Sequence, residues 1–383
     1  MSNLNVTDRR KFLTSAGLLA AGMAANALGA VPLAPPDAQP AHLPIPQPAG
    51  KKIGYAIVGL GELALTQVMP AFALCEHARP VAVVSGHRDK AEKVADHYQI
   101  DRKAIYDYKS YESMKDNPAI DVVYVILPNS MHAEYTIRAF AAGKHVLCEK
   151  PMAVTSDECR KMIDAGQQAG KKLMIAYRLR HEPFNQAMID MGRKQAYGKI
   201  IAISSENMQN TQAPNIRLSK DLGGGPLGDL GIYCLNAARY VTGEEPIEVS
   251  GMSYADPSQE RFREVPETVV FSMKFPSGVL AQCTASFGSE RADRLRVVCE
   301  KGVFELEPAF GYTGQKLKVK EKKNQTEITL SPVNHFAKEM DYLADCVLND
   351  KPVLTAGEEG LADMKIIEAI NQAIADKKAI QIT

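Results

Sequence analysis

The 383-residue sequence has no net charge, because 45 acidic side chains balance 45 basic ones. No long-range field therefore draws it to polyphosphate backbones or anionic lipid, and nucleic acid is excluded as a main partner. It has no CxxC spacing. The seven cysteines, Cys75, Cys148, Cys159, Cys234, Cys283, Cys299 and Cys346, are an odd number without partnered histidines, which argues against both a metal site and a disulfide framework. Internal repeats are also missing. What remains is an ordinary globular composition, 45% hydrophobic and 23% charged, in a chain long enough for two packed cores.

The N-terminus departs from that composition. "TDRRKFLTSAGLLAAGMAANALGA" sets Arg9 and Arg10 ahead of Phe12 and Leu13, then a small-residue apolar run, then Ala25-Asn26-Ala27 and Gly29-Ala30 as cleavage-like ends. Residues 1–30 read as a twin-arginine signal, which implies a periplasmic protein exported already folded, with its cofactor acquired first. The alternative, a retained anchor, is weaker because the run barely reaches the ~20 apolar residues of a span. In residues 31–50, "VPLAPPDAQPAHLPIPQPAG", recurrent proline forbids helix and favours extended polyproline conformation. That stretch is either a tether or, since Leu33, Leu43 and Ile45 are unusual in a solvated linker, an arm lying on a neighbouring subunit.

From Lys51 short β-rich runs alternate with helical periodicity. "IGYAIVGL", "PVAVVSG", "AIYDY", "IDVVYVILP", "HVLCEKP" and "KLMIAYR" are the strands, separated by stretches such as "DKAEKVADHY" and "HAEYTIRAFAAG". The alternation predicts an α/β domain over 51–177, a doubly wound parallel sheet whose continuous apolar strands are covered on both faces. Over 178–335 one helix, "FNQAMIDMGRKQ", precedes eight long strand-like runs from "KIIAISSENM" to "TEITLS". They predict an α+β domain with an open, largely antiparallel sheet, serving substrate binding and oligomerisation. Residues 336–383 are expected to pack back on the junction as two amphipathic helices, "HFAKEMDYLADCVLN", which starts one residue earlier at His335, and "EGLADMKIIEAINQAIAD".

Gly59-Leu60-Gly61-Glu62-Leu63-Ala64 follows the first strand and opens a helix. Glycines there allow a tight turn and close approach of backbone N–H groups to a pyrophosphate at the positive helix end, and Ala64 is a tolerated substitute for a third glycine. The second strand decides which dinucleotide. An NAD site ends this strand with a carboxylate for the ribose 2′-OH, whereas "AVVSGHRDK" offers Ser85, Arg88 and Lys90, which suit a 2′-phosphate. NADP is the expected cofactor, although Arg88 and Lys90 also fit as solvated first-turn charges.

Ligands in doubly wound folds sit beyond the carboxyl ends of the strands. Leu127-Pro128-Asn129 with His132 stands at one such end; Asn129 is a cofactor contact or the N-cap of the next helix, and His132 is a contact or a structural residue. Glu149-Lys150-Pro151 ends another strand, and an ion pair there would bury charge without a task unless it served the site. The cofactor set read from the chain is Gly59, Leu60, Gly61, Glu62, Leu63, Ser85, Arg88, Lys90, Tyr106, Leu127, Pro128, Asn129, His132, Glu149, Lys150 and Arg178. A third cluster is "GGGPLGDLGIYCLNAARYVTG", where Asp229, Tyr233, Asn236 and Tyr240 recur on one helix face beside an apolar face of Leu230, Cys234, Ala237 and Val241. A carboxylate and a phenol one turn apart at a glycine-lined cleft suit deprotonation of a sugar hydroxyl; Asp229 also fits as a helix-dipole partner and Tyr233 as packing.

"VGLGELAL", "ILPNSMHAEY", "GKHVLCEKPM", "KLMIAYR" and "GGGPLGDLGIYCLNAARYVTGEEPIEV" together resemble the Gfo/Idh/MocA oxidoreductases, from about residue 51 to the C-terminus. The branch most similar is that of the periplasmic glucose-fructose oxidoreductases, which share the export signal and Pro-rich arm and have Tyr at the place of Tyr233, where the wider family has His, and Asn at that of Asn236. The resemblance implies a Rossmann domain with tightly held NADP and a ping-pong cycle. An aldose such as glucose would give its C1 hydride to the nicotinamide and its O1 proton to Tyr233, forming a lactone such as gluconolactone; a second sugar would then be reduced to a polyol such as sorbitol. It implies further that Lys150 orients the sugar and favours the phenolate of Tyr233, that Asp229 holds hydroxyls, and that the protein is a homo-oligomer, dimer or tetramer. "SENMQNTQAPNIRLSKDL" and "YRLRHEPFN" depart from that branch and are expected to face the sugar, which leaves the acceptor open between fructose and an aldose. The rivals are an aldose 1-dehydrogenase with exchanging NADP, an NAD-dependent glycosidase of the same family, and a noncatalytic NADP-binding protein.

Overall fold

A computed structural model describes residues 52–382; the expected export signal and Pro-rich arm lie outside the described residues. The first sheet has six parallel strands, β1 (Ile53–Val58), β2 (Ala78–Val84), β3 (Ile105–Tyr106), β4 (Val122–Val125), β5 (His145–Glu149) and β6 (Leu173–Ala176), in the order β3-β2-β1-β4-β5-β6. Every residue of β1 and β4 is buried, as strands covered on both faces must be. Helices α1 (Arg88–Tyr98), α2 (His132–Ala141) and α3 (Ser156–Ala169) supply crossovers. The strand order reverses between β1 and β4, which opens a crevice at their carboxyl ends. β3 is only two residues long, against the five expected of "AIYDY", because Asp107 leaves the strand to cap a turn through Lys109 and Ser110 N–H groups.

After α4 (Pro183–Arg193) the chain builds a nine-stranded sheet from β7 (Ile200–Asn210), β8 (Glu248–Tyr254), β9 (Thr268–Lys274), β10 (Leu280–Ser286), β11 (Gly288–Cys299), β12 (Val303–Glu307), β13 (Lys316–Glu321), β14 (Asn324–Ile328) and β15 (Ile380–Gln381). The order is β14-β13-β12-β11-β7-β10-β9-β8-β15, antiparallel at every pair but β7 with β10. Strand β15 has no apolar alternation to announce it; it forms because Ile380 and Gln381 find the free edge of β8. One sheet face is buried, as the alternation along β10 records, and α5 (Ile232–Thr242) lies on that side.

Helices α6 (His335–Leu348) and α7 (Gly357–Asp376) tie the two sheets together. On α6, Asp341 accepts from the backbone N–H groups of Glu76, His77 and Ala78 at 2.8, 2.8 and 3.1 Å, while the Tyr55 hydroxyl of β1 donates to the Met340 carbonyl at 2.7 Å. On α7, fully buried Asp363 accepts from Tyr177 at the end of β6 and from Asn236 and Arg239 of α5, the latter two both at 2.6 Å.

Candidate active site

The glycine turn follows from a steric demand. Gly59 has φ +93°, and a Cβ there would lie 2.2 Å from the Ile126 carbonyl oxygen, so only glycine lets β1 run beside the end of β4 into the turn. The following helix begins with a π-wound turn, Ala64–Val68. Lys90, from the first turn of α1, reaches back to donate to the Leu60 carbonyl at 3.0 Å. It is thereby an anchored part of the turn rather than a solvated charge. Ser85 is buried, and its hydroxyl accepts from the His87 N–H at 3.1 Å. Arg88 is engaged locally, with Glu92 at 2.8 Å and the Ile105 carbonyl at 3.3 Å. Glu62 is exposed, whereas Gly61, Leu63, Leu127 and Pro128 are half-buried. Tyr106 is half-buried on β3 and its hydroxyl accepts from Asn117 at 3.2 Å. A tight glycine cradle, with a serine rather than a carboxylate directly after β2 and Lys90 anchored to the turn, can hold a 2′-phosphorylated dinucleotide.

At the end of β4 the structure separates alternatives that the sequence left open. Asn129 is not the N-cap of α2: its amide donates across the crevice to the Gly223 carbonyl at 2.8 Å. His132 is 1% exposed, and its two ring nitrogens lie 2.8 Å from the Pro151 carbonyl and 2.9 Å from that of Leu127. The ring braces the two loops on which the crevice residues sit, leaving neither nitrogen for a cofactor.

The Glu149–Lys150 ion pair expected from the sequence does not form. Strand alternation sends the two side chains to opposite sides. Glu149 accepts from the Tyr124 hydroxyl at 2.7 Å within the sheet, and burial pushes its carboxyl above the ordinary range despite that bond and the nearby Lys150. Lys150 instead crosses the crevice, donating to the Asp229 backbone carbonyl at 2.8 Å and its carboxylate at 3.0 Å. The other oxygen of that carboxylate accepts from Arg217 Nε at 2.8 Å. Burial would raise Asp229, but the two cations outweigh it and hold the carboxyl at about 2. Lys150 is held above its ordinary value, burial being overcome by Tyr233 and Asp229.

Asp229 lies in a π-wound turn, Leu227–Gly231, that leads into α5. Tyr233, Asn236 and Tyr240 line one cavity with Phe310, as the helical spacing predicts, Tyr233 half-buried and the other two buried. Asn236 serves Asp363, and the Tyr240 ring lies 4.0 Å beneath the Arg180 guanidinium. The Tyr233 ring centroid is 4.7 Å from Lys150 Nζ, 5.2 Å from the Arg178 guanidinium and 5.7 Å from the Phe310 ring.

Arg178, grouped with the cofactor residues by sequence, is buried beneath Tyr233 and bonded to the Phe310 carbonyl at 2.7 Å. Arg217 and Tyr312 escaped the sequence reading. Arg217 lay in a segment marked only as facing a sugar. Tyr312, 44% exposed with its ring 4.7 Å from Arg178, comes from the β12–β13 loop, where nothing local signals a crevice. Among the described residues no cluster of histidine, cysteine, aspartate and glutamate could hold a metal. The arrangement offers a phenol between cations, a salt-bridged lysine and a phosphate-binding turn, a set suited to proton transfer beside a bound nucleotide.

The family model described as Gfo/Idh/MocA oxidoreductase family, NAD-binding Rossmann fold, matches residues 53–177, and that of the GFO/IDH/MocA C-terminal domain matches residues 185–305. The chain is 40% identical to an aldose-aldose oxidoreductase from Caulobacter crescentus crystallised with glycerol, with a TM-score of 0.84 over 87% of this chain and all of that one. It is 29% identical over 339 residues to D-xylose 1-dehydrogenase [NADP(+)] of Haloarcula marismortui, covering 86% of this chain and 93% of that protein. A 3-ketoreductase from Actinomadura kijaniata, solved with NADP and TDP-benzene, shares the fold at a TM-score of 0.76, 22% identity and coverage of 85% and 98%.

Proposed function

The chain belongs to the Gfo/Idh/MocA oxidoreductase family, and from that membership we propose that it is an NADP-dependent sugar oxidoreductase that oxidises an aldose at C1 to the lactone and reduces a second sugar to a polyol. The observation that carries the reading is the approach of Lys150 Nζ to within 4.7 Å of the Tyr233 ring while Asp229 holds the lysine from the opposite wall. The NADP preference is supported by the cofactors named for the xylose dehydrogenases and by the Ser85 and Lys90 end of β2.

Gly59, Leu60, Ser85 and Lys90 would hold the adenosine and pyrophosphate end of the cofactor, and Leu127, Pro128 and Lys150 border its inner end. When bound, NADP supplies the hydride acceptor for the first sugar and the donor for the second. Tyr233 takes the proton of O1 as the C1 hydride leaves and returns a proton to the carbonyl of the second sugar. Lys150 donates to a sugar hydroxyl, its position fixed by two bonds to Asp229. Arg217 holds the second oxygen of Asp229, leaving the trio with a net positive charge, and closes the wall on the side of the second domain. Export through the twin-arginine pair Arg9-Arg10 and assembly into a homo-oligomer belong to the same proposal.

A second reading is favoured by the relatives named as NADP(+)-linked xylose 1-dehydrogenases: a simple aldose dehydrogenase whose cofactor exchanges each turnover. Protein purified without added nucleotide separates the two. Nicotinamide absorbance that appears on adding glucose or xylose and bleaches on adding fructose or a second aldose supports the two-sugar cycle. An empty protein that reduces aldose only with free NADP supports the dehydrogenase. Failure of either sugar to reduce the cofactor overturns both.

A further inference from the structure

We propose that Arg178 is a positioning residue that supplies the fixed positive charge against which the Tyr233 phenolate forms, so that Lys150, held in place by Asp229, acts chiefly on the sugar. The inference rests on the reading of Tyr233 as the proton-transferring group. Two of the three cations at the crevice have a carboxylate: Lys150 and Arg217 share Asp229 at 3.0 and 2.8 Å. Arg178 has none at ion-pair distance among the described residues. Its 6% exposed side chain donates to the Phe310 carbonyl at 2.7 Å, the Gly311 carbonyl at 3.4 Å and His335 Nδ1 at 3.0 Å.

The partners of Arg178 settle its charge balance. Because a guanidinium only donates, His335 Nδ1 is an acceptor, and Nε2–H faces the Tyr312 carbonyl at 3.0 Å. That tautomer is neutral, and burial together with Arg178 lowers the histidine to about 3. Two buried carboxyls face the same region: Glu149 from β5 and Glu339 from α6, the second fully buried with neither oxygen partnered among the described residues. Burial raises both above the ordinary carboxylate range, while Arg178 pulls each of them back down. A buried guanidinium without an ion-paired carboxylate costs several kcal/mol, and the phenols of Tyr233 and Tyr312, with ring centroids 5.2 and 4.7 Å away, are the crevice groups that can add negative charge beside it. Tyr312 is 44% exposed; Tyr233 is half-buried between Phe310, Lys150 and Arg178.

The test is a tyrosinate absorbance titration of the purified protein, taken as the difference between each background and its Tyr233→Phe partner, so that only Tyr233 is read. Backgrounds are wild type, Arg178→Gln, Arg178→Lys and Lys150→Met, each first checked for a cooperative unfolding transition. The expected result is that Arg178→Gln delays Tyr233 ionisation by about one pH unit or more, a tenfold fall in phenolate at a given pH. Arg178→Lys keeps most of the wild-type behaviour and Lys150→Met moves it less than Arg178→Gln. In sugar-dependent cofactor reduction, the alkaline shift appears as a rate deficit for Arg178→Gln that closes as pH rises; a purely structural role would lower the rate equally at every pH. An unmoved titration in Arg178→Gln, or a larger displacement in Lys150→Met, overturns the proposal. If Arg178→Gln does not fold, the Arg178→Lys and Lys150→Met comparison decides it by the same order. Sugar turnover surviving Tyr233→Phe would sink the functional reading instead, while leaving the titration to report the charge coupling.

Discussion

Asp229 serves two cations at once, one oxygen to Lys150 and the other to Arg217. Its carboxyl, held at about 2, lies below the ordinary value, so its contribution to stability is present above about pH 4 and is lost as pH falls towards 2. Asp229→Asn keeps the shape and removes the charge. The expected loss is about 2–3 kcal/mol, less than for a sealed pair because Arg217 is 38% open to solvent. Turnover should fall about 100-fold as Lys150 loses its anchor. Urea unfolding and steady-state kinetics check the two figures. At this scale the sequence named the acid, the phenol and the lysine but not their pairing. Glu149 is adjacent to Lys150 in the chain, yet alternation along a strand turns neighbours apart, and the partner comes from 79 residues further on. Arg217 was hidden for the same reason: no periodic element carries it.

Elements were the most legible level, because apolar runs in buried parallel strands and alternation in the second sheet report their environment directly. The fourteen strands expected within 52–382 are present, as are helices α1, α2, α4, α5, α6 and α7; α3 was implied only by the alternation of strands, and β15 went unanticipated. What periodicity could not show was the winding of helix starts. Two π turns, Ala64–Val68 and Leu227–Gly231, stand at the two walls of the crevice. Counting residues at helical spacing still set Tyr233, Asn236 and Tyr240 along one cavity, but could not show that the last two are buried at its floor. The glycine turn is an element-level constraint with a direct test. Gly59→Ala would set its Cβ 2.2 Å from a carbonyl oxygen at φ +93°, so the ends of β1 and β4 must part. The expected outcome is a destabilisation of about 2 kcal/mol or more and loss of co-purifying nucleotide. Retention of nucleotide with an unchanged unfolding midpoint would contradict the role given to the turn.

Across the whole molecule, buried groups of opposite kind pull stability in opposite directions with pH. His145, His181 and His335 are held at about 4, about 4 and about 3, burial being the first cause in each. The unfolded chain takes up their protons below about 6.5, so their contribution is complete above that pH and falls as pH drops. Glu149 and Glu339 are raised, again by burial first. The unfolded chain releases their protons above about 4.5, so their contribution is complete below that pH and falls as pH rises. Between about 4.5 and 6.5 the two sets offset each other, each group acting with up to about 1.4 kcal/mol per pH unit and less where solvent reaches it. Wild-type urea midpoints should therefore vary less across that window than either set alone would dictate, with a net rise towards pH 6.5 because the histidines outnumber the glutamates. Single substitutions uncover the two limbs. Glu339→Gln removes an unpartnered buried acid and should raise the midpoint most at high pH, leaving a steeper decline on acidification. His181→Phe removes a ring whose buried Nε2 has no partner among the described residues, and should raise the midpoint most near pH 5 with little effect at pH 8. Parallel midpoint curves for wild type and both variants would mean that these groups titrate alike in the folded and unfolded chains.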